Sequence, residues 1–465
     1  MKKIAIFCIP AHGHTNPIIP VASELVRRGN QVRFYSFDEF KDKIEASGAV
    51  FVSCSRFLPE LTNEEKEALK KSSNTEMSIQ DIRTTLRMDS FIAEEFKSFM
   101  PDVIYTDSVC FWGKLSALKY NIPMVVSTTT FAFNQLSSKY MKFTFGELAD
   151  MIFGLPKISR ELKTLKPYGY NVKSTLSLVR NDNDTDTIVY TSENYQPYSE
   201  SFTDHYLFAG PSISSELVPE KNNKRPLVYI SMGTVVNDKP YFYSNCIKGL
   251  EGMDADIIIS CGRHIDPESF GKLPDNFKVF QYVDQLDILS RANVFLTHCG
   301  MNSVSESLYM ATPMVFFPQT GEQGAVARRA SEIGAGVYLE NDSPEGIQAA
   351  IETILSDDSY ALAAENCSKE FRSCPGPAGA AEFIETAPHT ATKPDLLKES
   401  AKAGGRFRIL FWIIAVAVMI LFGIFVTWKY VWIIGVVAGI FSSPVAKGYQ
   451  NKAYEKMAKK YRAER

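Results

Sequence analysis

Between Tyr282 and Gln323 the chain reads YVDQLDILSRANVFLTHCGMNSVSESLYMATPMVFFPQTGEQ, which spaces a histidine, an Asn-Ser pair and two acids around one strand-to-helix turn. The apolar run Asn293 to Thr297 has the composition of a buried strand. Gly300 breaks it, so Asn302, Ser303 and Glu306 fall on the first turns of a following helix. A helix that begins at a strand's end offers unbonded N–H groups and the positive end of its dipole, a setting suited to phosphate. Beside Gly300, the His298 ring, the Asn302 amide and the Ser303 hydroxyl add donors to the same oxygens. Glu306, one turn deeper, can accept from both hydroxyls of a ribose. A second strand, Met314 to Phe317, ends in a turn carrying Glu322 and Gln323, an acceptor and an amide suited to sugar hydroxyls. Upstream, Tyr282 offers a ring face to a base and Gln285 an amide. Each residue alone has an ordinary explanation, because a buried histidine is usually a satisfied core residue and a helical glutamate is usually solvated. The ordered combination points to a nucleotide diphosphate bearing a sugar.

The amino-terminal end supplies groups of a second kind. Ile4 to Ile9 reads as a strand ending at Pro10, and the loop AHGHTNP presents His12 and His14 before a helical stretch from Ile18 to Arg28 that Gly29 closes. In a doubly wound sheet the loops after the strands' carboxyl ends form the ligand crevice. An imidazole there is a weak base at neutral pH, able to take a proton from an acceptor hydroxyl. From the residues alone, His12 and His14 are both candidates. The strand Val103 to Tyr105 carries Asp107 to the same edge, where its carboxylate can hold the far ring nitrogen of a histidine or cap the helix beginning near Cys110.

These segments resemble the UDP-dependent glycosyltransferases, in their bacterial macrolide-glycosyltransferase branch. The likeness rests on THCGMNS with Met301, on Gln285 and on the closing Glu322-Gln323. It extends over residues 1–386 through GHTNP at 13–17, YTDS at 105–108, FAGPS at 208–212, VYISMGT at 228–234 and LPDN at 273–276. Two positions depart from the family's common pattern: Met301 stands where plant members carry Trp, and Asp284 precedes Gln285 in place of Pro. The resemblance implies a GT-B fold, α/β with two facing Rossmann-like doubly wound domains. It makes His14 the base and Asp107 its orienting partner, and adds Thr234 to Tyr282, Gln285, His298, Gly300, Asn302, Ser303, Glu306, Glu322 and Gln323 on the donor side. The expected reaction is an inverting displacement that moves a hexose from a UDP-sugar, UDP-glucose first, to an acceptor hydroxyl. UDP-sugar is then a co-substrate and no cofactor is implied. No Asp-x-Asp motif or Cys/His cluster stands where a cation would be needed, so metal independence is expected. In the family, positions equivalent to 55–100 and 132–180 line the acceptor pocket; here they are irregular in pattern and rich in Phe, Met and Leu, which favours a hydrophobic small-molecule or lipid acceptor unless those side chains are simply core.

The elements that must position these groups follow from the pattern. Apolar runs near 32–35, 49–52, 103–106, 123–127 and 187–191 alternate with helical stretches, which argues for α/β with parallel sheets. The expected organisation is an acceptor-binding domain over 1–211, a polar linker over 212–226, a donor-binding domain over 227–387, whose stretch from Ala378 to Thr386 packs back on the first domain by the resemblance, and a second linker over 388–408. Residues 409–428 form an uncharged run of 20, long enough as a helix for the ~30 Å of a bilayer's hydrocarbon. A second apolar run of 17 residues occupies 430–446. Arg406 and Arg408 precede the pair and a basic tail, 447–465, follows it. Positive flanks belong on the cytoplasmic side, so a transmembrane hairpin with both ends cytoplasmic is expected, with one crossing plus an interfacial helix as the alternative. The formal charge of −3 divides into +5 after residue 446, +3 over 406–446 and therefore −11 over 1–405. Such an acidic body argues against a nucleic-acid partner and leaves membrane attachment to the tail. Eight cysteines without paired spacing and the short apolar start MKKIAIFCIPA, read as a strand and not as a signal peptide, place the catalytic domains in the cytoplasm. Two other classes stay open at this level: a membrane-held nucleotide-sugar scaffold without turnover, and a UDP-sugar epimerase.

Overall fold

A computed structural model of the chain describes all residues except 59–63, 65–73, 142–144, 173–182, 214–216, 234–238, 426–430 and 464–465. The first half is an α/β layer built from β1 (Lys3–Phe7), α1 (His12–Arg27), β2 (Gln31–Ser36), α2 (Lys41–Ala46), β3 (Val50–Ser53), α3 (Asn74–Ser98), β4 (Val103–Asp107), α4 (Phe111–Tyr120), β5 (Met124–Thr128), α5 (Phe145–Leu165), β6 (Thr187–Val189) and β7 (Tyr206–Phe208). Its seven strands lie in the order β3-β2-β1-β4-β5-β6-β7, and β1 pairs in parallel with both β2 and β4. The second half runs β8 (Leu227–Ser231), α6 (Pro240–Leu250), β9 (Asp256–Ser260), β10 (Phe277–Phe280), α7 (Gln285–Arg291), β11 (Val294–Thr297), α8 (Met301–Tyr309), β12 (Met314–Phe316), α9 (Gly321–Glu332), β13 (Gly336–Tyr338), α10 (Pro344–Ser356), α11 (Asp358–Ser373) and α12 (Gly376–Thr386). Its six strands are ordered β10-β9-β8-β11-β12-β13, all in parallel register.

Both sheets are thus doubly wound, with strand order reversing between β1 and β4 in one and between β8 and β11 in the other. Ligand crevices open at such reversals, beyond the strands' carboxyl ends. The expected strands are present, β4 reaching as far as Asp107 and β6 stopping at Val189. Fully buried positions such as Ile4, Ile6, Val103, Val228, Ile230 and Leu296 explain why these runs read as continuously apolar. Each such side chain removed from water contributes ~1.5–3 kcal/mol.

Three sequence expectations change. First, α1 begins at His12 and not at Ile18, so the histidine loop is the helix's own first turn. Pro17 and Pro20 lie inside it, which is why the stretch resembled a loop. Second, 55–100 and 132–180 are more regular than their composition suggested: they contain the long helices α3 and α5. Ile79, Ile82, Phe111, Leu115, Ile158, Leu165 and Tyr170 pack into a separate small core there. Several of the apolar residues that favoured an acceptor pocket therefore serve packing. Third, the stretch expected as a linker over 388–408 turns helical at Leu396.

The terminal helix α12 returns to the first sheet as expected. Ala380, Ala381, Phe383 and Ile384 join its core, and Arg28 bonds Glu385 at 3.1 Å and the Ala378 carbonyl at 3.0 Å. By contact the chain forms two compact units, one of residues 1–197 with 207–389 and one of 198–206 with 390–465. In the second, α13 (Leu396–Phe425) and α14 (Val431–Ala463) run antiparallel: Phe407 stacks on Tyr449 at 4.5 Å, and Met419 lies by Gly435. Both helices are long and apolar enough to cross a membrane. The basic tail continues α14 to Ala463. Its Tyr454 hydroxyl donates to the buried Glu200 at 3.1 Å, and Arg462 pairs with the same carboxylate.

Candidate active site

On the first sheet, β1 and β4 are neighbours in register, which brings the start of α1 beside the end of β4. His14 Nδ1 lies 2.7 Å from Asp107 Oδ2 and 3.3 Å from Thr129 Oγ1. Asp107 is fully buried, whereas the imidazole keeps 28% of its side-chain surface open. The other Asp107 oxygen accepts from the Val109 amide at 3.0 Å. The capping alternative is settled by this geometry, since α4 has Cys110 as its N-cap and Asp107 instead closes a short turn before it. Burial alone would lower the His14 pKa. The Asp107 carboxylate, by charge and hydrogen bond and helped by Glu322 and Asp81, outweighs that, so the pKa is raised. With Nδ1 held by Asp107, Nε2 is the nitrogen left for a substrate.

The residues expected on the donor side gather at the second strand-order reversal. Between β11 and α8 the chain turns through Cys299 at φ 67°, a left-handed conformation costly for a non-glycine residue. Gly300 is the N-cap of α8 and offers no side-chain cap, leaving the first-turn N–H groups to other acceptors. His298 is pushed down to about 4 by burial and is therefore neutral. Among the described residues its buried Nδ1 has no well-formed hydrogen bond, although the Ser231 backbone lies close enough to the ring to offset part of the lowering. The ring rests against two glycines: a Cβ on Gly233 would come within 2.4 Å of it, and one on Gly300 within 2.7 Å. Gly233 also sits at φ 74°, so both space and backbone require glycine there.

Behind the helix end, Gln285 donates to Glu306 at 2.6 Å and to Ser303 at 3.3 Å, and accepts from the Tyr229 hydroxyl at 3.2 Å. Burial pushes the Glu306 carboxyl up to about 7, against the lowering effect of the Gln285 bond. Asp284, the departure from the family's Pro, is the N-cap of α7 and accepts from the Asp287 amide at 3.2 Å. Glu322 and Gln323 occupy the first turn of α9, capped by Thr320; the Gln323 side-chain Oε1 accepts from the Gln319 backbone N–H at 2.7 Å. Thr234 lies outside the described residues. Among the described residues no group of three His, Cys, Asp or Glu side chains is placed to hold a metal ion.

Two contacts join the acceptor-side and donor-side groups. Pro17 has no N–H, so the Gly13 carbonyl four residues earlier lacks its helical partner. That carbonyl accepts instead from Asn302 Nδ2 at 2.8 Å. The residue beside His14 is thereby hydrogen-bonded to the first turn of α8. The second contact is Arg263, whose guanidinium bonds the Tyr282 hydroxyl at 2.5 Å and His12 Nε2 at 3.1 Å. His12 is thus committed to a cation, and among the described residues no carboxylate hydrogen-bonds its ring, Glu39 acting only through its charge. Arg263, Tyr229, Thr129 and Asp81 were not anticipated. Arg263 had a signal, because CGRH directly follows the carboxyl end of a strand; the other three depend on packing.

The family model described as "Erythromycin biosynthesis protein CIII-like, C-terminal domain" matches residues 244–386. The chain is 32% identical over 398 residues to the NDP-glycosyltransferase YjiC of Bacillus licheniformis, covering 83% of this chain and 97% of that protein. It is 30% identical over 394 residues to the uncharacterized UDP-glucosyltransferase YojK of Bacillus subtilis, with the same coverage. In fold it is similar to the calicheamicin glycosyltransferase CalG4, at a TM-score of 0.69 and 24% identity over 83% of this chain and all of the other.

Proposed function

The chain belongs to the macrolide-type UDP-glycosyltransferases, and we propose that it transfers a hexose from UDP-glucose to a hydroxyl of a hydrophobic small-molecule or lipid acceptor, with inversion and without a metal. The observation that carries this reading is the 2.7 Å bond between His14 and the buried Asp107, set one residue from the carbonyl that Asn302 holds. His14 Nε2 takes the proton of the acceptor hydroxyl as its oxygen bonds to the anomeric carbon and the bond from that carbon to the phosphate oxygen breaks. Asp107 remains ionised and stabilises the imidazolium. The departing UDP is met by the first-turn N–H groups of α8 with Asn302 and Ser303, dipoles already oriented before the charge develops. Neutral His298 contributes a single N–H and no charge. Glu306, steadied by Gln285, accepts from the ribose; Tyr282 faces the base; Thr234, Glu322 and Gln323 complete the donor site. The description of the Bacillus subtilis relative as a UDP-glucosyltransferase supports the choice of donor.

In the same reading α13 and α14 anchor the enzyme as a membrane hairpin with both polar ends and the catalytic domains on the cytoplasmic side. The test is mass spectrometry of products formed when the membrane-bound protein is offered a panel of UDP-sugars and apolar acceptors. A hexosylated acceptor whose formation His14→Ala slows by about 10²–10⁴-fold is expected. Donor binding without consumption across the panel would favour a silent scaffold, and an altered sugar nucleotide formed without acceptor would favour an epimerase.

A further inference from the structure

Helix α5 is two-sided in an unusual way. Gly154, Ile158 and Leu165 face inward; Ile158 and Leu165 are buried, and a Cβ on Gly154 would collide with Thr75. At about 100° per residue, Ile152, Phe153, Arg160 and Lys163 project from the opposite side, flanked by Leu155 and Lys157. Ile152, Phe153 and Leu155 are 55%, 78% and 55% exposed. Lys157, Arg160 and Lys163 are exposed as well, and none of the three has a carboxylate partner among the described residues. The one acid within this stretch, Glu161, is turned aside to Arg83 at 3.5 Å. The outer face is thus apolar in its first half and cationic in its second, on a body whose residues 1–405 carry −11.

We propose that this face of α5 is a second membrane contact, in which Ile152, Phe153 and Leu155 enter the boundary between headgroups and acyl chains while Lys157, Arg160 and Lys163 meet anionic lipid phosphates. Charge complementarity selects this occupant: a row of unpaired cations beside exposed aliphatic and aromatic side chains matches an anionic bilayer surface, where long basic side chains keep their charges at the headgroups and their stems along the apolar layer. The same chain supplies the bilayer through its apolar hairpin, so the contact forms at high local concentration. It rests on the anchored reading above and deepens it, because α5 belongs to the acceptor-side domain: the acceptor is taken from the bilayer and not from water.

The test uses nitroxide labels on the full-length chain reconstituted in vesicles of phosphatidylcholine with and without phosphatidylglycerol. Seven of the eight native cysteines are buried and one is partly so, which allows selective labelling of Phe153→Cys and, separately, of the hairpin position Ile413→Cys. In anionic vesicles the label at 153 should collide more with oxygen than with a water-soluble nickel chelate, and Arg160→Glu with Lys163→Glu should reverse that ratio. The same charge reversal should slow transfer to a bilayer-dissolved acceptor several-fold while leaving a water-soluble acceptor unaffected. A label at 153 that stays water-exposed while the label at 413 reports lipid would overturn the contact and leave the anchor standing. Water exposure at 413 would remove the anchor itself. A label at 153 inaccessible to both reagents would mean protein covers the face, which also overturns the proposal.

Discussion

A raised His14 pKa has a direct kinetic meaning. Only the neutral ring accepts a proton, so the acid limb of kcat/KM should lie above the ordinary histidine value, and activity should fall as pH drops through it. Asp107→Asn removes the charge that raises the pKa. That variant should move the limb to lower pH and cut the plateau rate, with His14→Ala losing about 10²–10⁴-fold in kcat and little change in donor KM. A pH-rate profile whose limb is the same in Asp107→Asn would remove the pairing from the mechanism. Glu306 supplies a second, independent test. With its carboxyl pushed up to about 7, it is about half protonated near neutrality, and ribose hydroxyls that donate to it favour the ionised form. Binding of UDP-glucose without acceptor should therefore release roughly half a proton near neutral pH, more at pH 6 and less at pH 8. Calorimetry in buffers of different ionisation heat measures this, and Glu306→Gln should abolish it.

At the level of elements, the site depends on where helices are allowed to begin. α8 starts without a side-chain cap, which leaves its first N–H groups available, while α9 is capped by Thr320 and α7 by Asp284. The two capped helices hold Gln323 and Gln285 in fixed places. The uncapped one is the helix end proposed above to meet the diphosphate. Gly233 completes this arrangement from the end of β8, because only a residue without a Cβ lets that turn pass the His298 ring. Gly233→Ala combines a left-handed backbone with a 2.4 Å clash. It should destabilise the donor-side domain by about 1–3 kcal/mol and weaken UDP binding by more than the loss in Tm alone would suggest. Binding affinity equal to wild type, measured well below the melting temperature, would show that the ring position does not matter.

Across the whole catalytic body, bonds such as Tyr140 to Glu332 and Arg329 to Asn194 join the two domains; among the described residues beside the candidate site, two do so, Asn302 to Gly13 and Arg263 to His12. The second is titratable. Burial, Lys43 and Arg263 together lower the His12 pKa against the raising effect of Glu39, so the ring is neutral and accepts from the guanidinium near neutral pH. Acidification protonates His12 and breaks the bridge. Arg263→Ala should raise the donor KM a few-fold near pH 7, consistent with one lost hydrogen bond of about 1 kcal/mol, and leave kcat nearly unchanged. As pH falls through the lowered His12 pKa, below the ordinary histidine range, the wild type and the variant should converge in KM. Divergence in that range would show that His12 is not the titrating partner.

Much of this site was legible before any coordinates, for reasons specific to its residues. The turn between β11 and α8 is local: a buried strand, a glycine and the first helical residues are consecutive, so His298, Gly300, Asn302 and Ser303 could be placed together from spacing alone. That Asp107 and a histidine of the 12–14 turn share one edge was inferable from the strand ends that carry them, since a doubly wound sheet sends both there; the choice of His14 over His12 came from the family resemblance. The start of α1 was not inferable, because Pro17 and Pro20 look like helix breakers unless something else bonds the carbonyls they leave free. Asn302 does that for Gly13, and no local rule connects positions so far apart in the chain. Tyr229, Thr129 and Arg263 likewise acquire their roles only when separate strands and loops meet. Chemistry that depends on consecutive residues is written in the primary structure, whereas hydrogen bonds that close across a crevice exist only after the core has packed and set the distance between its two sides.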